Sequence, residues 1–112
     1  MIWFVAFVPA DRPRHCLAFG FDPRGEVWIR ADPCGGRLTL TALKRRVFDR
    51  WVRRLSRKAA IYRVRQAGNA RLITGCPCVA EVKRITGCGS GALFPGGLRR
   101  DLVRNGATRA FR

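Results

Sequence analysis

Two residue types in this chain could together form a nucleophilic site. His15 is the only histidine and is predicted to open a β-strand, and Cys78 is predicted to lie where another strand gives way to a helix. A helix N-terminus favours the thiolate form of cysteine, and a nearby imidazole can accept the thiol proton. If the two side chains meet in space, the chain is a cysteine-nucleophile enzyme or the remnant of one. If they do not, it is a small basic binding protein.

A third side chain should fix the tautomer of the imidazole, and Asp32 is the candidate. A two-residue turn at 23–24 would place Asp32 directly opposite His15, on the same face of the sheet. A bulged three-residue loop would pair Asp32 with Cys16 and turn its side chain away. The sequence leaves both registers open. It also leaves Cys76 as a competing nucleophile, because Pro77 suits the first position of the helix that would carry Cys78.

Hydrophobic patterns predict the elements that must position these residues. Strands are predicted over 2–8, 15–21, 26–31, 61–66 and 71–74, with a type I turn at 22–25 and a second turn at 68–69. A long helix is predicted after the Gly35-Gly36 pair, with Thr39 or Thr41 as its N-cap. Shorter helices are predicted over 78–85, closed by Gly87, and over 98–103, stopped by Asn105-Gly106. The apolar stripe of the long helix consists of Leu40, Leu43, Val47, Trp51, Leu55 and Ala59, widened by Phe48 and Val52.

The opposite face of the long helix is almost entirely basic. Twenty-three basic residues, twenty of them Arg, face seven acidic ones in the whole chain, which gives a formal charge of +16. Such a charge attracts polyanions, and guanidinium groups suit phosphates without reading a base sequence. We expect an anionic cell-wall polymer, nucleic acid or an acidic protein subunit as the partner of this face. Its residues are Lys44, Arg45, Arg46, Arg50, Arg53, Arg54, Arg57 and Lys58.

Length and cysteine content bound the class of protein. A chain of 112 residues is expected to form one domain, 1–112. Five cysteines, an odd number, do not indicate a disulfide framework. The apolar run 2–8 is too short for a membrane span, and it lacks the preceding positive charge and the small-residue cleavage site of a signal peptide. We therefore expect the cytoplasm of a host bacterium, or a virion, as its location. A zinc site of His15, Cys76, Cys78 and Cys88 is an alternative, although Cys-x-Cys is tighter than usual zinc spacing and no cofactor is expected.

The order of the predicted elements resembles a known arrangement. The run 14–19 (Arg-His-Cys-Leu-Ala-Phe) is similar to the His strand, and the run 75–84 (Gly-Cys-Pro-Cys-Val-Ala-Glu-Val-Lys-Arg) to the Cys helix, of circularly permuted papain-like hydrolases. These include the lecithin retinol acyltransferase group and relatives of NlpC-type cell-wall peptidases. The chain also resembles small phage and prophage proteins, which share Asp32-Pro33, the motif Cys-Val-x-x-Val-Lys-Arg from Cys78, and Pro95-x-x-Leu98. In the relatives a second His or Asn usually follows the hairpin, and this chain lacks it.

The predicted elements indicate an α+β domain with an antiparallel sheet, one long basic helix and a short Cys-bearing helix, which resembles the permuted papain-like arrangement. The resemblance has further implications for function. It implies Cys78 as the nucleophile, His15 as the base and hydrolysis of an amide or peptide, with cell-wall peptide as the expected substrate. The sequence leaves open whether such a site is active or vestigial. The alternative function is a non-catalytic basic virion component that contacts DNA or an acidic subunit through 45–58. Proximity of Cys78 to His15 favours the first function, and burial of Cys78 in apolar packing favours the second.

Overall fold

The computed structural model describes residues 1–64, 73 and 75–112, and in them the chain forms an antiparallel sheet with three helices. The strand order is β4-β3-β2-β1-β5-β6, so the first two strands of the chain lie in the middle of the sheet. The α+β class and the antiparallel sheet are as predicted. The strands are β1 (Ile2–Val8), β2 (His15–Asp22), β3 (Val27–Cys34), β4 (Arg37–Leu43), β5 (Ala60–Val64) and β6 (Thr108–Ala110), and the helices are α1 (Arg45–Ser56), α2 (Pro77–Thr86) and α3 (Pro95–Arg104).

Helices cover both faces of the sheet, which explains why β1 is apolar along its whole length. Val5 and Phe7 pack with Val79 of α2 and Leu98 of α3 on one face. On the other face, the neighbouring β1 residue Ala6 belongs to the cluster that contains Phe48, Val52 and Leu55 of α1. The basic helix and the Cys-bearing helix therefore lie on opposite faces of the sheet.

The predicted start of the long helix is wrong. Residues 37–43 form β4, which pairs with β3, and α1 begins only at Arg45, with Lys44 as its N-cap. The turn between these strands is Gly35-Gly36, both with positive φ (60° and 77°), because Cys34 pairs with Arg37. A two-residue turn of this kind is a strong hairpin signal. The prediction of a helix depended on the helical spacing of Leu40 and Leu43. Both residues lie in β4, and neither Thr39 nor Thr41 caps a helix.

The loop of the first hairpin is longer than the loop in either of the two predicted registers. Asp22 pairs with Val27, which leaves four loop residues, 23–26. The Asp22 carboxylate accepts the N–H of Arg24 at 3.0 Å, and Glu26 has a positive φ of 50°. Continuation of this register would set Leu17, and neither His15 nor Cys16, opposite Asp32. Both predicted registers are therefore wrong.

The remaining elements follow the sequence closely. Helix α2 begins at Pro77 and ends at Gly87, whose left-handed φ of 70° closes it as predicted. Helix α3 is longer than predicted but ends at Asn105, and the short strand β6 pairs with β5 and was not predicted. The predicted strand 71–74 and the turn at 68–69 lie outside the described residues, apart from residue 73.

Candidate active site

The site lies where two neighbouring strands separate. Strands β2 and β3 are paired only as far as Ala18 and Ala31. Beyond that pair, residues 15–17 remain bonded to β1, and residues 32–34 to β4, so the sheet forks. Helix α2 contacts both arms of this fork. The fork brings His15, Asp32 and the start of α2 together, although His15 and Asp32 are not cross-strand partners.

His15 and Asp32 form a direct hydrogen bond. The Nε2 of His15 lies 2.8 Å from Oδ1 of Asp32, and the two side chains are 34% and 38% exposed. A carboxylate only accepts, so Nε2–H is the donor, which leaves Nδ1 for the neighbouring sulfur of Cys78. Asp32 thus orients the imidazole. The fork, and not a cross-strand pairing of the two residues, brings Asp32 to His15.

Cys78 lies in the first turn of α2, and its sulfur is surrounded by hydrogen-bond donors. The thiol of Cys16 makes the strongest contribution, followed by the His15 ring, the backbone N–H of Cys16 and the thiol of Cys76. These donors lower the pKa of Cys78 to about 3, against the opposing effect of burial. Cys78 is 8% exposed and belongs to the buried apolar cluster that also contains Val5, Phe7 and Val79.

The pKa of the His15 imidazole shifts in the opposite direction to that of Cys78. Its hydrogen bond with Cys78, together with the Asp32 carboxylate, raises the pKa of His15 to about 9, although partial burial opposes the rise. A cysteine pKa below neutrality and a histidine pKa above it describe a thiolate–imidazolium pair at pH 7. This charge state is the one that a cysteine nucleophile needs.

Cys16 is the residue that sequence reasoning missed. It is fully buried on β2, and its hydrogen bond to Cys78 and its burial raise its own pKa far above the usual range. Its thiol therefore stays protonated and acts as a donor to the Cys78 sulfur. Strand alternation predicts that the Cys16 side chain points to the opposite face from His15, and the sequence indicates no role for it in the site. No local signal marks it, because its partner is more than sixty residues away.

Cys76, the competing nucleophile, has a different environment. It is the N-cap of α2, and its sulfur lies 3.5 Å from that of Cys78. Burial raises the pKa of Cys76 above its ordinary value, and the neighbouring Cys78 adds to this rise. The backbone N–H groups of Val79 and Cys78 partly oppose the rise. The Cys76 side chain forms no capping hydrogen bond. Cys76 is thus protonated where Cys78 is ionised, and the geometry favours Cys78 as the nucleophile.

A small cavity of about 90 Å³ opens beside the start of α2. It lies between the β3–β4 hairpin and the helix, and Pro33 and Pro77, which line it, are the direct neighbours of Asp32 and Cys78. A larger cavity of about 430 Å³ lies against α1, on the other face of the sheet. Cys78, His15 and Asp32 line neither cavity, but the small one is lined in part by α2 and the large one by α1.

The eight basic residues predicted to bind anions are all exposed. They lie on α1 or directly beside its ends, and the first turn of the helix contains no acidic residue to offset its N-terminal partial charge. Within residues 1–64, 73 and 75–112, the ion pairs are His15–Asp32 and Arg84–Glu81. None of the eight therefore has an ion-pair partner in the described part of the chain.

The described residues contain no group of three or more His, Cys, Asp or Glu side chains arranged to hold a metal ion. Cys88, the fourth residue of the zinc alternative, does not contribute to the pKa of Cys78; burial and the charge of Asp101 raise its own pKa. Where the structure is described, it has no helix that is long and apolar enough to cross a membrane. Comparisons of the chain with protein-family models, curated proteins and solved structures give no match.

Proposed function

We propose that this protein is a cysteine amidase or peptidase, of the kind that phages use on cell-wall peptides, with Cys78 as the nucleophile and His15 as the acid–base. The observation that carries the proposal is the 2.8 Å hydrogen bond between Asp32 and His15, combined with a pKa of Cys78, in the first turn of α2, that His15 helps to lower. A structural cysteine is normally buried in apolar contacts and keeps its proton. Cys78 is buried among apolar residues as well, but the donors around its sulfur lower its pKa.

In the first half of the reaction, the Cys78 thiolate attacks the carbonyl carbon of the amide. The carbonyl oxygen becomes an oxyanion, which backbone N–H groups in the first turn of α2 stabilise. Pro77 has no N–H, so Cys78 and Val79 supply these donors. The His15 imidazolium then protonates the leaving nitrogen, the C–N bond breaks, and an acyl-enzyme forms.

In the second half, neutral His15 removes a proton from water, which attacks the thioester carbonyl. The C–S bond breaks, the carboxylic acid leaves, and the thiolate–imidazolium pair is restored. Asp32 holds the ring in one orientation through both halves and stabilises its positive charge. Asp32 is thus a positioning residue rather than one that touches substrate.

The direct test is hydrolysis of purified peptidoglycan and of its soluble peptide fragments, followed by mass spectrometry of the products. Cys78→Ala should abolish cleavage, and His15→Ala should slow it by roughly 10²- to 10⁴-fold. Cys34→Ala is the matched control, because Cys34 is an exposed free cysteine on the β3–β4 hairpin. Cleavage that survives in Cys78→Ala, or no cleavage by the native protein of any amide presented, contradicts the proposal.

A second candidate function is a non-catalytic basic virion component that contacts DNA or an acidic subunit through α1. The observation that favours it is the set of eight exposed cations without ion-pair partners in the described residues. Retention on duplex DNA that falls steeply with salt, and that is unchanged in Cys78→Ala, supports this function. The two functions are compatible, because they use opposite faces of the sheet.

A further inference from the structure

The cavity against α1 lies between that helix and strands β3 and β4, away from Cys78. Its volume, about 430 Å³, is within the range of small-molecule sites. One part of its lining is apolar and the other is cationic. The lining residues are Arg30, Leu43, Val47, Arg50, Trp51, Arg54, Leu55 and Lys58.

Four cations line this cavity, and among the described residues no carboxylate does. Arg50 and Arg54 are four residues apart on α1, so they lie about 6 Å apart along the helix, and Lys58 follows just beyond its C-terminal end. Like charges at this spacing repel one another, which disfavours the empty site. A ligand with more than one negative charge would remove that repulsion.

Arg30 lies on β3 below the other cations, and its guanidinium is poorly satisfied. Its Nε is buried and has no hydrogen-bond partner in the described part of the chain, while one terminal nitrogen makes a long contact of 3.5 Å with Thr41 Oγ1. A buried charged donor without a partner is costly, and an anion that enters the cavity would supply the missing acceptor. Guanidinium groups bind phosphate particularly well because their donors form a planar fork.

The other half of the lining suits a flat apolar group. The Arg30 guanidinium lies 5.4 Å from the centre of the half-buried Trp51 ring, and Leu43 and Val47 complete this wall. Planar groups such as a nucleobase stack on aromatic rings and on guanidinium planes. A ligand of nucleotide size combines both features that the cavity presents.

We propose that this cavity binds a nucleotide unit, with its phosphates on Arg30, Arg50 and Arg54 and its base against the Trp51 wall. The unit is either a free nucleotide or part of a single strand, since both carry the same chemistry. The site is independent of the proposed hydrolase activity and is formed by other residues. It therefore holds or fails on its own test.

The test is a calorimetric titration at about 0.15 M salt with adenosine diphosphate, pyrophosphate and a short oligothymidylate. Adenosine diphosphate should bind more tightly than pyrophosphate, because the base adds apolar contact. The double variant Arg50→Ala/Arg54→Ala should weaken binding roughly 10- to 100-fold. Stronger binding of the oligothymidylate than of the diphosphate would identify a strand as the source, and the reverse would identify a free nucleotide.

The matched control is Arg53→Ala/Arg57→Ala, which removes the same charge from the same helical segment but outside the cavity. It should change the affinity less than about twofold if the cavity binds the ligand. Equal losses in the two double variants would mean binding by the general positive field and would overturn the proposal. So would equal affinities for pyrophosphate and the diphosphate, or binding of neither.

Arg30→Met supplies a second readout that separates binding from folding. Because Arg30 carries an unsatisfied buried nitrogen, its replacement should leave the melting temperature unchanged or raise it. The diphosphate-induced rise in melting temperature should disappear in this variant. A variant that is less stable than the native protein, yet binds the diphosphate with native affinity, would show that Arg30 has only a structural role and would overturn the assignment.

Discussion

The protonation state of one sulfur atom decides the chemistry of this site. Cys78 has four donors, and the strongest is a buried thiol, Cys16, rather than the imidazole. A buried Cys16 that cannot ionise behaves as a fixed donor, whereas His15 can both donate and accept. In the proposed reaction the two residues therefore have different roles, since Cys16 stabilises the thiolate and His15 transfers protons.

Alkylation by iodoacetamide tests the lowered pKa of Cys78. Above a pKa of about 3 the sulfur is already a thiolate, so its labelling rate should be nearly constant between about pH 5 and pH 8. A free thiol such as N-acetylcysteine, added to the sample, should label roughly tenfold faster per pH unit over this range. Mass spectrometry gives both profiles from one sample. A Cys78 profile that parallels that of the free thiol contradicts the thiolate–imidazolium pair.

The raised pKa of His15 sets the upper limit of activity. The imidazolium must protonate the leaving amine, and it loses its proton as the pH rises through about 9. Amide hydrolysis should therefore decline above about pH 9, while alkylation of Cys78, which needs only the thiolate, should not. Asp32→Asn removes the charge partner of the ring and should move this decline to lower pH. An unchanged pH profile in Asp32→Asn would argue against its role.

The contribution of Cys16 is tested by a pair of substitutions. Cys16→Ala removes the side-chain donor to Cys78, whereas Cys16→Ser keeps a hydroxyl donor in its place. The pKa of Cys78, measured by its alkylation profile, should rise in Cys16→Ala and stay near its native value in Cys16→Ser. Equal rises in the two variants would mean that packing around Cys16, and not hydrogen bonding, sets the Cys78 pKa.

At the scale of elements, the fork between β2 and β3 is what creates the site. Each arm is held by its outer neighbour, β1 for residues 15–17 and β4 for residues 32–34. An unpaired stretch of sheet leaves backbone N–H groups that need acceptors, and one of them, at Cys16, donates to the Cys78 sulfur. The β3–β4 hairpin thus supports the site although it contributes only Asp32.

The Gly35-Gly36 turn of that hairpin has a measurable energetic role. Gly36 has a φ of 77° and no atom within 4 Å of an added Cβ, so Gly36→Ala should cost only backbone strain, about 1 kcal/mol. Gly96 in α3 is equally uncrowded but does not have a positive φ, so Gly96→Ala should stabilise the protein by up to about 1 kcal/mol. Urea unfolding midpoints measure both changes. A Gly36→Ala variant as stable as the native protein would contradict the turn assignment.

At the scale of the whole molecule, the sheet separates two functional surfaces. The Cys78 site faces α2, and the cationic cavity faces α1, with the strands between them. The chain carries a charge of +16, and its basic helix is not neutralised by ion pairs within the described ranges. Such a field concentrates anionic partners near the protein without fixing their orientation.

The separation predicts that the two surfaces vary independently. Arg50→Ala/Arg54→Ala should leave the alkylation rate of Cys78 within about twofold of the native value, because substitutions on distant sites rarely couple. Cys78→Ala should likewise leave diphosphate binding unchanged in calorimetry. A change of Cys78 reactivity in the arginine variant would instead indicate coupling through the sheet.

The local features of the fold were largely predictable. The limits of β1 and the ends of α2 and α3 depend on nearby residues, such as Gly87 and Asn105, and the predictions for them agree with the structure. Strand β4 was mistaken for the start of a helix, because Leu40 and Leu43 fit both periods and only pairing with β3 resolves them. The predicted length of the first hairpin loop was wrong for a related reason, because the loop length depends on how β2 and β3 pair.

The sequence by itself determined the local features of the site, which are a cysteine in the first turn of a helix and a histidine at the start of a strand. It also determined a helix with one basic face. These follow from short-range spacing and composition. Tertiary structure alone decided that Asp32 meets His15 through a fork, that Cys16 donates to Cys78, and that Arg30 and Trp51 share a cavity with Arg50 and Arg54. Such contacts join residues far apart in the chain, and only the packing of helices onto both faces of the sheet brings them together.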